Sequence, residues 1–204
     1  VDYIVALGST AETATLSLKE RDEVLRFIVN RTDGRVPIVA GMGSNNTADL
    51  VEQLHSFNLD GVVAILSVVP YYNKPSQEGI YRHFMAVAEA SPVPVIIYNV
   101  PGRTGLNMTA ETTLRLAHAT PKIVAIKEAC GNIEQMQAIL DGRPEGFLVL
   151  SGDDGLTVEL VKRGGDGVIS VAANAFPERF CGCVHKAMSG DTAIAEAEMT
   201  QLTP

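Results

Sequence analysis

Ile123-Val124-Ala125-Ile126-Lys127 is a short apolar run that ends on a lysine, and Glu128-Ala129-Cys130-Gly131 follows as a loop. Upstream, Val95-Ile96-Ile97-Tyr98 ends on a tyrosine and leads into Asn99-Val100-Pro101-Gly102-Arg103. Runs this continuously hydrophobic fit strands that are covered on both faces. An amine that closes a buried strand is an odd use of charge unless that strand end carries chemistry. In a barrel of parallel strands, active sites sit at the C-terminal strand ends. There an amine, a phenol and a guanidinium share one rim, a set suited to imine chemistry on a carbonyl compound bearing a carboxylate.

Similar runs recur outward from this stretch, at Tyr3–Leu7, Val36–Ala40, Val62–Leu66, Val95–Tyr98, Ile123–Lys127, Phe147–Leu150 and Val168–Val171. Their spacing of roughly 20–35 residues is the size of successive strand–helix units. Helix signals fill the gaps. Ser17-Leu18-Lys19-Glu20 reads as a capping box, with Val24, Leu25 and Ile28 as an apolar stripe behind it. Asn46 or Thr47, Ser76, Thr109, Asn132 and Asp153 or Asp154 are candidate N-caps, and Pro177 suits a first helical turn. Two architectures remain, a closed eight-stranded barrel and an open doubly wound sheet. A barrel of about 250 residues requires at least one strand before Val1 and helices after Pro204. The lack of an initiator Met agrees with a fragment.

The chain has 204 residues, 46% of them hydrophobic, enough for one substantial core and a single domain over residues 1–204. A net charge of −8 with scattered Lys and Arg argues against nucleic acid as partner. No apolar run is long enough for a bilayer and no leader pattern opens the chain, so no membrane partner is expected. Three cysteines, of which Cys181 and Cys183 are too close to suggest a bridge, point to a reducing cytoplasm.

Several motifs have plain structural readings. Gly41-Met42-Gly43-Ser44-Asn45-Asn46 lacks the third glycine and the later acid of a dinucleotide-binding turn. Gly164-Gly165-Asp166-Gly167 reads as helix termination and a turn. The histidines at 55, 83, 118 and 185 show no metal-ligand spacing, and His55, His83 and His118 are expected to be solvated on helices. Gly8-Ser9-Thr10-Ala11-Glu12 offers hydroxyls and backbone N–H groups to a carboxylate. To act as an imine-forming nucleophile, Lys127 needs its pKa moved from about 10.4 to roughly 7–8, about 3.5–5 kcal/mol of differential interaction. Burial can supply that; a surface position cannot.

Taken together, Gly8–Glu12, Pro70-Tyr71-Tyr72-Asn73-Lys74-Pro75-Ser76-Gln77-Glu78-Gly79, Tyr98–Gly105, Ile126-Lys127-Glu128-Ala129 and Ser151-Gly152-Asp153-Asp154 resemble the dihydrodipicolinate synthase family of pyruvate-dependent class I aldolases. The resemblance runs through nearly the whole chain, and it implies a TIM (β/α)8 barrel truncated here by its first strand and C-terminal helices. It implies a lyase of lysine and diaminopimelate biosynthesis that condenses pyruvate with L-aspartate 4-semialdehyde, with no cofactor beyond a Schiff base on Lys127. Tyr98, Ser9 and Tyr72 would form its proton relay, Tyr72 being donated across a homodimer that typically pairs into a homotetramer. Thr10 would bind the pyruvate carboxylate, Arg103 that of the second substrate, and Ile169 and Gly8 would line the pocket. Asn45, Asp49 and Tyr71 fall near an allosteric lysine site. Leu18 and Arg21 stand where lysine-sensitive members often carry histidine, so weak or absent feedback is expected. Ser9 and Ala11 depart from the usual threonine and glycine. Two other readings compete: a sugar-acid aldolase, such as an N-acetylneuraminate or keto-deoxy-gluconate lyase, and a non-catalytic anion-binding module built on Gly41–Asn46.

Overall fold

A computed structural model describes residues 1–202. Seven strands, β1 (Ile4–Ala6), β2 (Ile38–Gly41), β3 (Val62–Val68), β4 (Val95–Asn99), β5 (Ile123–Glu128), β6 (Leu148–Ser151) and β7 (Gly167–Val168), form one sheet in sequential order. Every neighbouring pair is parallel. The helices α1 (Leu18–Thr32), α2 (Thr47–Ser56), α3 (Gln77–Ala90), α4 (Pro101–Thr104), α5 (Ala110–Ala119), α6 (Ile133–Gly142), α7 (Thr157–Lys162), α8 (Pro177–Met188) and α9 (Thr192–Met199) lie between and after them. The chain is therefore an α/β protein of repeated strand–helix units. Among the described residues, no helix is long and apolar enough to cross a membrane.

Strand alternation divides the core into two layers. Leu25, Ala40, Ile65, Ile97, Ile126 and Val149 pack between the sheet and the helices. Val39, Ala64, Leu66, Ile96, Ala125 and Leu150 pack on the other face, inside the curl of the sheet. Because both faces are covered, the strands read as unbroken apolar runs. The sheet curls far enough for the Tyr3 hydroxyl, just before β1, to donate to the Val168 carbonyl of β7 at 3.4 Å. The edges of β1 and β7 thus face each other, yet each strand pairs only on its other side among the described residues.

The expected caps at Ser17, Asn46, Ser76, Thr109 and Asn132 all form, and Ser17 with Glu20 makes the full capping box. Pro177 opens α8. Three expectations need correction. β7 occupies Gly167–Val168 rather than Val168–Val171, because the Asp154 carboxylate takes the Val171 and Ala172 N–H groups into a turn. That same role removes Asp154 as a helix cap, and the Asp153 carboxylate accepts from Gly155 N–H in the turn before α7. His83 is not solvated. It is 3% exposed on α3, its Nδ1 lies 2.9 Å from Thr47 Oγ1, and burial pulls its pKa down to about 4. The packing of α2 against α3 covers it.

Candidate active site at the strand C-termini

The parallel register of β4 and β5 sets Tyr98 directly opposite Lys127, and Asn99 opposite Glu128. Tyr98 and Lys127 point into the curl of the sheet, and each is 7% exposed. The Lys127 amine lies 4.3 Å from the centre of the Tyr98 ring. Burial pulls the Lys127 pKa down to about 8; Asp154 opposes that shift and Arg103 adds to it. At pH 7 a pKa of about 8 leaves roughly one amine in ten neutral, against about three in ten thousand for an ordinary lysine. Gly152 makes the space for this side chain. A Cβ there would lie 2.7 Å from Ala129 Cβ and 3.1 Å from Lys127 Cε.

Two adjoining cavities open at this end. The larger, about 620 Å³, runs from Lys127 past Ser9, Thr10, Leu150 and Ile169 to the gap between β1 and β7. The smaller, about 230 Å³, is lined by Tyr98, Arg103, Thr104, Tyr71 and Arg21. Gly8, Ser9 and Leu66 line both, so the loop after β1 forms the partition. Ser9–Ala11 is a tight turn entered through Leu7, which adopts a left-handed φ of 57°. Gly41 permits that approach, since a Cβ there would meet the Leu7 carbonyl at 2.1 Å. A Cβ on Gly43 would likewise meet Val68 Cγ1 at 2.8 Å. Both glycines of the Gly41–Asn46 loop therefore answer to close packing.

Arg103 sits on the one-turn helix α4, with Pro101 at its start, and makes no ion pair among the described residues. A guanidinium placed so, beside the phenol, suits a carboxylate-bearing substrate. Of the expected site residues, Lys127, Ser9, Thr10, Gly8 and Ile169 meet at the larger cavity, and Tyr98, Arg103 and Tyr71 at the smaller. Tyr72 lines neither; it is 87% exposed, on a loop where it holds a φ of 71°. Asn45 and Asp49 also lie outside both cavities. The Asn45 carbonyl accepts from Asn73, and the Asp49 carboxylate accepts from Ser44 and Gln53.

Sequence reasoning gave Asn99, Glu128 and Gly152 no role of their own and read Asp154 only as a possible helix cap. For Glu128 a signal existed: in a strand covered on both faces, the residue after an inward lysine points outward into the helix layer, where a carboxylate is anomalous.

The chain matches the model of the Dihydrodipicolinate synthetase family over residues 1–204. It is 55% identical over 190 residues to a 4-hydroxy-tetrahydrodipicolinate synthase of Parabacteroides distasonis, covering 93% of this chain and 64% of that protein. Identity to the enzyme of that name from Phocaeicola vulgatus is 55% over 194 residues, covering 95% and 65%. The chain thus spans slightly less than two-thirds of these relatives' length. Among solved structures, dihydrodipicolinate synthase from Aquifex aeolicus superposes with a TM-score of 0.95 at 39% identity, over 99% of this chain and 69% of that one. A monomeric dihydrodipicolinate synthase variant does so with a TM-score of 0.96 at 34% identity, over 100% and 69%.

Proposed function

Since the chain belongs to the dihydrodipicolinate synthetase family, we propose that it carries the imine-forming site of a lyase that condenses pyruvate with L-aspartate 4-semialdehyde. The observation that carries this reading is a buried amine, with a pKa of about 8, held 4.3 Å from a tyrosine ring at the mouth of the strands. The neutral Lys127 amine attacks the pyruvate carbonyl carbon, and loss of water leaves an imine. Proton removal from the methyl group gives an enamine, with Tyr98 and Ser9 relaying protons and Tyr72 completing the relay from a second copy. The enamine carbon attacks the aldehyde; the amino group of that substrate then attacks the former carbonyl carbon, closing the ring and releasing Lys127. Thr10 and Gly8 hold the pyruvate carboxylate, Ile169 packs on the pyruvate, and Arg103 binds the carboxylate of the aldehyde. No cofactor is required. The high exposure of Tyr72 supports a homodimer or homotetramer as working unit. Three free cysteines fit a reducing cytoplasm. Asn45, Asp49 and Tyr71 are the positions for a lysine effector, with little feedback expected at Arg21 and Leu18.

The gap between β1 and β7, each with one edge unpaired among the described residues, supports a (β/α)8 barrel completed by one more strand in the full-length protein. Borohydride reduction of the full-length protein with pyruvate should leave an adduct on Lys127, absent in Lys127→Ala. A folded protein that forms no adduct refutes the reading. Consumption of aspartate semialdehyde supports it over the sugar-acid aldolases, which would release pyruvate from a sugar acid instead.

A further inference from the structure

Directly behind the Tyr98–Lys127 pair, on the helix side of the sheet, both strands change character at the same level. β4 passes from Ile97 to Asn99 and β5 from Ile126 to Glu128, and all four side chains are fully buried. Glu128 Oε1 accepts from Asn99 Nδ2 at 2.9 Å and from Cys130 N–H at 2.9 Å. Its Oε2 accepts from Asn99 Nδ2 and from Gln135 Nε2, each at 3.1 Å. Asn99 Oδ1 in turn accepts from Met108 N–H at 3.0 Å, and its Nδ2 donates to Asn107 Oδ1 at 2.8 Å. Asn107 Nδ2 closes the ring by donating to Gln135 Oε1 at 2.9 Å. Four pieces of chain are tied here: β4, β5, α6 and the connection from α4 to α5.

We infer that Glu128 is a positioning residue, the centre of a buried polar clamp that holds Tyr98 and Lys127 at one height and one separation. The inference rests on the imine reading above. Glu128 makes no ion pair among the described residues, and burial pushes its pKa up against the hydrogen bonds that lower it. A lone apolar residue here would leave the Asn99, Cys130 and Gln135 donors without this acceptor. The geometry calls for an acid. Every group facing the carboxyl is a donor, so both oxygens must accept and a carboxamide cannot substitute without turning a donor onto a donor. Backbone bonds at the same level, Ala129 N–H to Asn99 O at 2.9 Å and Gly152 N–H to Glu128 O at 2.8 Å, leave the strand ends little freedom once the side chains are locked. Tyr98 and Lys127 are the covalent neighbours of Asn99 and Glu128, so a loosened clamp moves the phenol relative to the amine.

The test separates imine formation from the proton transfer that follows it. In the full-length protein, Glu128→Gln, Gln135→Ala and Tyr98→Phe are compared by two readouts. One is the rate of borohydride trapping of pyruvate on Lys127; the other is exchange of pyruvate methyl hydrogens with deuterated water, followed by NMR. Trapping should stay within about threefold of the unsubstituted protein in Glu128→Gln and Gln135→Ala. Exchange per trapped site should fall by about 10²-fold in Glu128→Gln and about tenfold in Gln135→Ala, in the direction of Tyr98→Phe. Gln135 is half-buried, so its variant carries the test should Glu128→Gln fail to fold. An unchanged exchange-to-trapping ratio in folded variants overturns the inference, because a purely structural network changes the folded fraction and not that ratio. Equal losses in both readouts overturn it as well. Absence of trapping in the unsubstituted protein overturns the imine reading, and this inference with it.

Discussion

Replacing Lys127 by Met, of similar length and without charge, should stabilise the folded protein near neutral pH and lose that advantage in alkali. The folded pKa is about 8, against an ordinary 10.5. Between those values the unfolded chain binds more protons than the folded one, so the stability of the lysine protein rises with pH through that window. Below pH 8 both states are protonated and the full penalty of burying the ammonium applies. At about 1.4 kcal/mol per pKa unit, the penalty is about 3 kcal/mol at pH 7, about 2 at pH 9 and under about 0.5 at pH 10.5. The packing contribution of the methionine adds a constant, so the pH-dependent part isolates the amine. Urea unfolding of both full-length proteins at these three pH values measures it. A stability difference that does not change with pH refutes the claim that folding holds this amine out of water.

Tyr98→Phe should lower turnover by about 10²–10⁴-fold while pyruvate trapping on Lys127 changes little; parallel losses in stopped assays of both would remove its relay role. Gly152→Ala places a Cβ 2.7 Å from Ala129 Cβ and 3.1 Å from Lys127 Cε, so it should cost about 1–3 kcal/mol of stability, seen in denaturant unfolding, and slow trapping. Arg103→Ala should raise KM for the aldehyde by about 10²-fold and leave pyruvate trapping intact; an unchanged KM places the second carboxylate elsewhere. Ser17→Ala removes the hydroxyl that accepts from Glu20 N–H at the start of α1 and leaves the Ser17 N–H bond to the Glu20 carboxylate, and thermal unfolding should register about 1 kcal/mol.

Much of the candidate site is legible in the sequence, because strand chemistry is local. A lysine and a tyrosine that end neighbouring apolar runs are placed on one rim by parallel order alone, and both indeed lie at the strand C-termini. Helix caps were equally readable, since Ser17, Asn46, Ser76, Thr109 and Asn132 bond to N–H groups within three residues. Asp154 was misread for a related reason. An acid shortly before a helix fits a cap, whereas its partners are Val171 and Ala172, on the loop after the next strand.

The amino-acid pattern by itself determined the alternation of strand and helix, the faces of each element and the strand ends that carry Tyr98 and Lys127, because periodicity and caps depend on residues a few positions apart. Only the tertiary structure decided that Lys127 is dry enough for a pKa of about 8, that His83 is buried, and that Glu128 reaches Asn99 and Gln135. Those properties arise from register and layer packing between segments distant along the chain. Desolvation is the summed effect of every neighbour that excludes water, and no single stretch of sequence contains that sum.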